Sequence, residues 1–205
     1  MKVAVVGGTG AFGQAVARRL VDAGVEVVIG SRDAERARDA AAPLAAEGAT
    51  NAEAVRAADL VLLAVKADAA VDTARELREA IGATPVLSVA AELSFGPGGV
   101  KPTPEATSVA QRVQAELDAP VVAGLHSLAA SNLAEKPPDE DVLVCGDDAA
   151  AKALALDLAG RLCAGRAIDA GPLASARALE GLTAVIVNVN RRYKVHAGVR
   201  ITGLD

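Results

Sequence analysis

The chain has 205 residues, of which 52% are hydrophobic and 23% charged, with a formal net charge of −5 at pH 7. These values exclude a disordered, collagen-like or coiled-coil chain and fit one principal domain with a small appendage. Its aromatics, Phe12, Phe95 and Tyr193, offer no stacking platform on this acidic background, so no nucleic-acid partner is expected. Cys145 and Cys163 form no zinc or redox motif, and no apolar run of about 18 residues predicts a membrane span. A cytoplasmic protein in a reducing compartment is the expectation.

Short apolar runs predict strands at Lys2–Val6, Glu26–Ile29, Leu60–Val65, Pro85–Val89, Val121–Gly124, Val142–Cys145 and Ala167–Asp169. They lack polar alternation, as strands buried on both faces do. Helical stretches at Ala11–Ala23, Ala34–Ala46, Ala69–Ala80, Val109–Leu117 and Ala149–Leu162 alternate with them. The rhythm predicts a Rossmann-type α/β fold, a doubly wound, mostly parallel sheet over residues 1–170. Phe95–Pro104 carries too many glycines and prolines for a regular element and reads as an active-site loop or a long surface connection. Residues 171–205 read as a small helical part closing the cleft: a helix over Pro172–Asn190, the basic Arg191-Arg192-Tyr193-Lys194, and a short tail.

The first strand runs into Gly8, Thr9, Gly10, Ala11, Phe12 and Gly13, a G-x-G-x-x-G turn that opens an amphipathic helix. In that context the glycines let backbone N–H groups and a helix N-terminus approach a pyrophosphate. Where an NAD site places a carboxylate for the ribose 2′-hydroxyl, this chain has Ser31 and Arg32, with Arg36 one turn on. A carboxylate would repel a 2′-phosphate and these groups attract it, so NADP(H) is favoured over NAD(H). Asp33 reads as a helix cap, and an ion pair of Arg36 with Asp33 or Asp39 is the simpler alternative for that arginine.

The second substrate must lie beyond the carboxyl ends of the strands, where Lys66, Ala90–Phe95 and His126-Ser127-Leu128 fall. No Ser-Tyr-x-x-x-Lys arrangement is present, which argues against a short-chain carbonyl reductase. Asp147-Asp148 reads as helix capping, so no metal is expected, and Glu180, inside an otherwise apolar helix, needs a partner if it is buried, one that the sequence does not name.

Taken in order, Gly7–Gly13, Gly30-Ser31-Arg32, Leu125-His126-Ser127-Leu128-Ala129, Val144-Cys145-Gly146-Asp147-Asp148, Asp169-Ala170-Gly171-Pro172-Leu173 and Glu180-Gly181-Leu182-Thr183 resemble the NADPH-dependent coenzyme F420 reductases, or F420H2:NADP+ oxidoreductases. The resemblance covers nearly the whole chain. It implies reversible direct hydride transfer between the nicotinamide C4 of NADP(H) and C5 of the deazaflavin, with no metal and no catalytic side chain beyond those that position the rings. By position, Thr9, Ser31, Arg32 and Arg36 resemble the 2′-phosphate pocket, and Val65 and Lys66 lie with the cofactor site. His126 and Leu128, with Ser127 between them, resemble the deazaflavin edge. Many members have a Pro-Trp-like pair where this chain has Lys66-Ala67, so its wall there differs. The cofactor and co-substrate expected are NADP(H) and coenzyme F420, on a homodimer joined through the apolar Leu182–Val189 stretch. An NADPH-dependent flavin or imine reductase, or a non-catalytic NADP(H)-binding redox sensor, is the alternative.

Overall fold

Residues 1–204 are described by a computed structural model. Strand β1 (Lys2–Val6) shows why the sheet forms as it does: Val3 and Val5 enter one core and Ala4 and Val6 the other. Successive side chains point to opposite faces, so a wholly apolar strand demands cover on both. Helices α1 (Ala11–Asp22), α2 (Ala34–Ala41), α3 (Asn51–Arg56) and α4 (Ala67–Ile81) alternate with β2 (Glu26–Ser31), β3 (Glu47–Thr50), β4 (Leu60–Leu63) and β5 (Val86–Ser88). Then come β6 (Leu93–Gly96), β7 (Gly99–Pro102), α5 (Val109–Glu116), β8 (Val121–Gly124), α6 (Ala130–Glu135), β9 (Val142–Gly146), α7 (Ala149–Leu162), β10 (Ala167–Asp169) and α8 (Ala176–Tyr193).

The main sheet has the order β10-β9-β8-β5-β4-β1-β2-β3. Its pairings are parallel except β8 with β9, where Gly124 faces Val144 and Val122 faces Gly146. This reversal has a functional consequence. The start of β9, and of β10 parallel to it, lies at the same end of the sheet as the carboxyl ends of the other strands. The segment before β9 therefore belongs to the end where ligands bind in doubly wound folds.

Several sequence expectations need correction. Phe95–Pro104 is not irregular: β6 and β7 form an antiparallel hairpin in which Phe95 faces Val100 and Gly96 faces Gly99. The glycines and prolines fall at its turn and ends, where they do not interrupt the pairing. Helix α2 stops at Ala41, ahead of a short 3-10 turn containing Pro43, and β3 and α3 follow in a stretch for which no element is expected from the sequence. Helix α8 begins at Ala176 after a 3-10 turn at Leu173–Ser175 and continues to Tyr193, so Arg191 and Arg192 are its last turn.

Helix α8 is oriented by polar contacts. Near its start the Leu173 amide donates to Asp147 Oδ1 (2.9 Å), while further along Thr183 Oγ1 donates to the His126 carbonyl (2.8 Å). Asp147 follows β9 and His126 follows β8, strands of opposite direction, so α8 climbs along the sheet toward the ligand end. Glu180, buried in this helix, finds its partners in the Val109 amide (2.6 Å) and Arg177 Nη1 (2.7 Å). Burial still raises the Glu180 carboxyl above its ordinary value.

Candidate functional site

At the carboxyl end of β1 the chain turns on Gly7 (φ +85°) and enters α1. A Cβ on Gly13 would lie 2.6 Å from the Gly7 carbonyl oxygen and 2.8 Å from Gly8 Cα, so backbone fills the space a side chain would need. A Cβ on Gly7 would meet the Ala64 carbonyl oxygen at 2.7 Å and Val65 Cγ1 at 2.9 Å, which presses this turn against the end of β4. Helices α2, α3, α5 and α7 begin with side-chain caps on their free amides, whereas α1 begins at Gly10 with none and has no acid in its first turn. The first-turn N–H groups of α1 therefore face the cleft with their positive field uncompensated, as an anion requires.

Beyond β2, Asp33 caps α2 by accepting from the Glu35 (2.9 Å) and Arg36 (3.2 Å) amides, as its sequence position predicts. Arg32 therefore lies just ahead of the cap and not within the first helical turn, while Arg36 is inside it. Both arginines are exposed, and neither forms an ion pair among the described residues, so the Arg36 pairing with Asp33 or Asp39 is absent. Ser31 Oγ accepts from the Asp33 amide (3.3 Å). Thr9 and Phe12 lie in the glycine turn and first turn of α1, and the exposed Lys66 opens α4 next to Val65.

Across the cleft, the residue after β8, Leu125, takes φ +65°, a left-handed turn that folds His126, Ser127 and Leu128 back beneath the strand ends. His126 is buried, with Nε2 3.3 Å from the Ala90 carbonyl oxygen. Desolvation holds its pKa down at about 4, so the ring is neutral at pH 7 and Nε2 is the donor in this contact. That tautomer leaves Nδ1 as a buried acceptor with no partner among the described residues. Ser127 Oγ donates to the Asp141 carbonyl (3.3 Å), and Leu128 packs in the core at 7% exposure.

Two further polar atoms at the strand ends are buried and unpartnered among the described residues, Ser88 Oγ at the end of β5 and Asn51 Oδ1 beside Gly30 of β2. With His126 Nδ1 they mark the ligand end of the sheet as the place where polarity is left open. Sequence reading missed Ser88 and Asn51 because a lone small polar residue carries no motif, whereas Ala90 lies within the expected Ala90–Phe95 stretch and contributes its backbone carbonyl. It also missed Asp141, buried before β9. The Asp141 carboxylate accepts from the Arg166 side chain (2.8 Å) and the Ile201 amide (2.9 Å), contacts that hold it well below the usual carboxylate range. Asp141 thus fastens the C-terminal segment beside the loop carrying Ser127. Asp148 caps α7 as expected, whereas Asp147 instead ties down Leu173.

Cys145 and Cys163 are buried and free, and burial pushes the Cys145 thiol up to about 11, so neither is a nucleophile at neutral pH. Among the described residues no group of three His, Cys, Asp or Glu side chains could hold a metal, and no helix is long and apolar enough to cross a membrane. A surface cleft of about 560 Å³ beside Arg78, Gly82 and Asp118 lies between the ends of α4 and α5, at the opposite end of the sheet from the glycine turn.

This fold and turn define a doubly wound α/β protein of the dinucleotide-binding class. The family pattern described as NADP oxidoreductase, coenzyme F420-dependent, matches residues 2–92. An F420-dependent NADP reductase of Methanothermobacter thermautotrophicus is 36% identical, covering all of this chain and 96% of that protein. One from Methanocaldococcus jannaschii is 34% identical, with both chains covered completely. The chain belongs to this family of F420-dependent NADP reductases. The solved structure of a candidate F420-dependent NADP reductase from Arthrobacter sp. FB24 superposes with a TM-score of 0.83 at 28% identity, covering 98% of this chain and 99% of that one. An imine reductase from Streptomyces aurantiacus, at 24% identity, shares the fold with a TM-score of 0.65, and this chain covers 62% of it.

Proposed function

We propose that the protein is an oxidoreductase that passes a hydride reversibly between NADP(H) and coenzyme F420. The reading is carried by its full-length likeness to F420-dependent NADP reductases, on a chain whose uncapped glycine turn and free arginines suit a 2′-phosphorylated dinucleotide. When bound, the nicotinamide and the deazaflavin supply the redox chemistry, as donor and acceptor of one hydride in a single two-electron step.

The chain's own part is placement. The amides of Ala11, Phe12 and Gly13 hold the pyrophosphate, and Gly8, Thr9 and Gly10 allow its close approach. Ser31, Arg32 and Arg36 bind the 2′-phosphate. Val65 and Lys66, beside the glycine turn, flank the cofactor ribose and nicotinamide. His126, Ser127 and Leu128 form the facing wall for the deazaflavin, with neutral His126 offering Nδ1 as an acceptor and Leu128 an apolar surface. No side chain here is poised as a strong acid or base, in keeping with a reaction that needs two rings held about 3–3.5 Å apart and shielded from water.

We read residues 171–205 as the part that closes the cleft, through the Thr183 contact to His126. A homodimer through the outer face of α8, where Val185 and Tyr193 are exposed, and a cytoplasmic location complete the reading. The test is NADPH carrying deuterium at C4 on either face. One face should deliver its label to C5 of the reduced deazaflavin with a primary isotope effect. Reduced deazaflavin with solvent hydrogen at C5 from both labelled forms would reject direct transfer.

A further inference from the structure

About half of the 21 lysines and arginines of this acidic chain are neutralised within it. Ten form ion pairs, among them Arg75 with Glu116, Arg78 with Asp118 and Arg166 with Asp141. Those without a carboxylate include Arg32 and Arg36 and, on the other side of the cleft, Arg191, Arg192 and Lys194 with Lys101. The second group is one-signed: residues 93–104 and 181–204 contain no Asp or Glu, although the whole chain is at −5. This charge is not spread over a featureless surface. The hairpin and the end of α8 are locked together, Asn188 Oδ1 accepting from the Val100 amide (2.8 Å) and Nδ2 donating to its carbonyl (2.6 Å). The Arg191 guanidinium lies over the exposed Phe95 ring, 5.4 Å from its centroid.

Position gives this patch its meaning. Thr183 of α8 touches the His126 carbonyl at the ring site, and the helix then continues past the strand ends for more than two turns. Arg191 and Arg192 follow eight and nine residues later, about 12–14 Å further along the axis at 1.5 Å per residue. A ligand whose ring rests against His126 and whose polar chain runs out along α8 would bring that chain to these cations.

We propose that Arg191, Arg192 and Lys194, with Lys101 on the facing hairpin, bind the anionic tail of the second substrate, the phosphodiester and glutamate carboxylates of a tailed deazaflavin. The assignment rests on the F420 reading of the ring site and extends it to a part of the substrate remote from the hydride. Phe95 holds the Arg191 plane in place, so less freedom is lost when an anion binds. Exposed charges act at long range and are screened by salt, so the patch governs capture of the tailed substrate and not the chemical step.

The experiment compares tailed F420 with the ring and ribityl chain alone, lacking phosphate and glutamates, on the intact enzyme with NADPH. The variants are Arg191→Gln/Arg192→Gln, each single substitution Arg191→Gln and Arg192→Gln, and Arg56→Gln on α3 as the control that matches the singles in loss of charge. The double variant should raise the KM for tailed F420 about ten-fold and leave the KM for the tail-less ring and for NADPH within two-fold. Raising salt from about 50 to 300 mM, at saturating NADPH, should raise the wild-type KM for the tailed deazaflavin but not for the tail-less ring, and have little effect on that of the double variant. Circular dichroism and melting confirm that the variants fold. Equal losses on both deazaflavins, or a shift in oligomeric state with no tail dependence, would overturn the proposal and make the patch a ring-site support or a subunit contact. No turnover of either deazaflavin by the wild type would reject the F420 reading itself.

Discussion

Replacing Arg32 and Arg36 together by alanine removes the two free guanidinium groups at the end of β2 while leaving the Asp33 cap of α2 intact. Both side chains are exposed, so each contact to a 2′-phosphate is worth about 1 kcal/mol, below the value for a buried charge-assisted pair. Together they account for about 2 kcal/mol, roughly a thirty-fold change in affinity. Because the 2′-phosphate is remote from the transferred hydride, the loss should appear in the KM for NADPH, with kcat changed less than two-fold. NADH lacks the phosphate and should be used with unchanged efficiency, so the preference for NADPH over NADH falls by the same factor of about thirty. Initial rates of deazaflavin bleaching with each nucleotide measure this. Equal losses for NADPH and NADH would refute the pocket and make the arginines supports of the fold.

Gly13→Ala should abolish dinucleotide binding, because its Cβ would stand 2.6 Å from a backbone oxygen that cannot yield without unmaking the turn. Equilibrium dialysis with NADPH checks this, and near wild-type binding would contradict it. Leu128→Ala should lower kcat and alter the primary isotope effect of hydride transfer while leaving the KM for NADPH unchanged, and it should also lower the melting temperature because the side chain is in the core. Wild-type kcat in a folded variant would remove Leu128 from the ring site. His126, with a pKa of about 4 in the fold against 6.5 when unfolded, stays neutral across the working range. Its burial therefore destabilises the fold progressively as pH falls from 6.5 toward 4, and full stability is present above 6.5. At about 1.36 kcal/mol per pH unit the loss amounts to about 3 kcal/mol over that window, and His126→Gln should abolish this part of the pH dependence. Urea midpoints at several pH values test the sign, and a His126 ring resonance titrating near pH 6.5 would contradict the burial argument.

The sheet was legible because its strands are continuous apolar runs, and β1, β8 and β10 coincide with the predicted ranges. Strand β3 was not, since Glu47-Gly48-Ala49-Thr50 pairs at the sheet edge with no residue fully buried and so carries no apolar signature. The β6–β7 hairpin was hidden for the opposite reason: its glycines and prolines are breakers by composition, yet pairing with each other and the Asn188 side chain overrides local preference. Of the candidate site, the glycine turn and the Ser31-Arg32 end were readable because their chemistry is local in sequence. The partners of His126 and Glu180, namely Ala90, Thr183, Val109 and Arg177, were mostly out of reach, because three of these four contacts join residues that only the fold brings together.

The most direct test mixes the purified protein with NADPH and coenzyme F420 and follows absorbance at the deazaflavin band, with NADH and free flavin in parallel. Rapid bleaching with NADPH, much slower with NADH, and no matching oxidation of NADPH by flavin is the predicted result. Absence of bleaching by protein that demonstrably binds NADPH would leave the fold standing and contradict the assignment of F420 as the partner in hydride transfer.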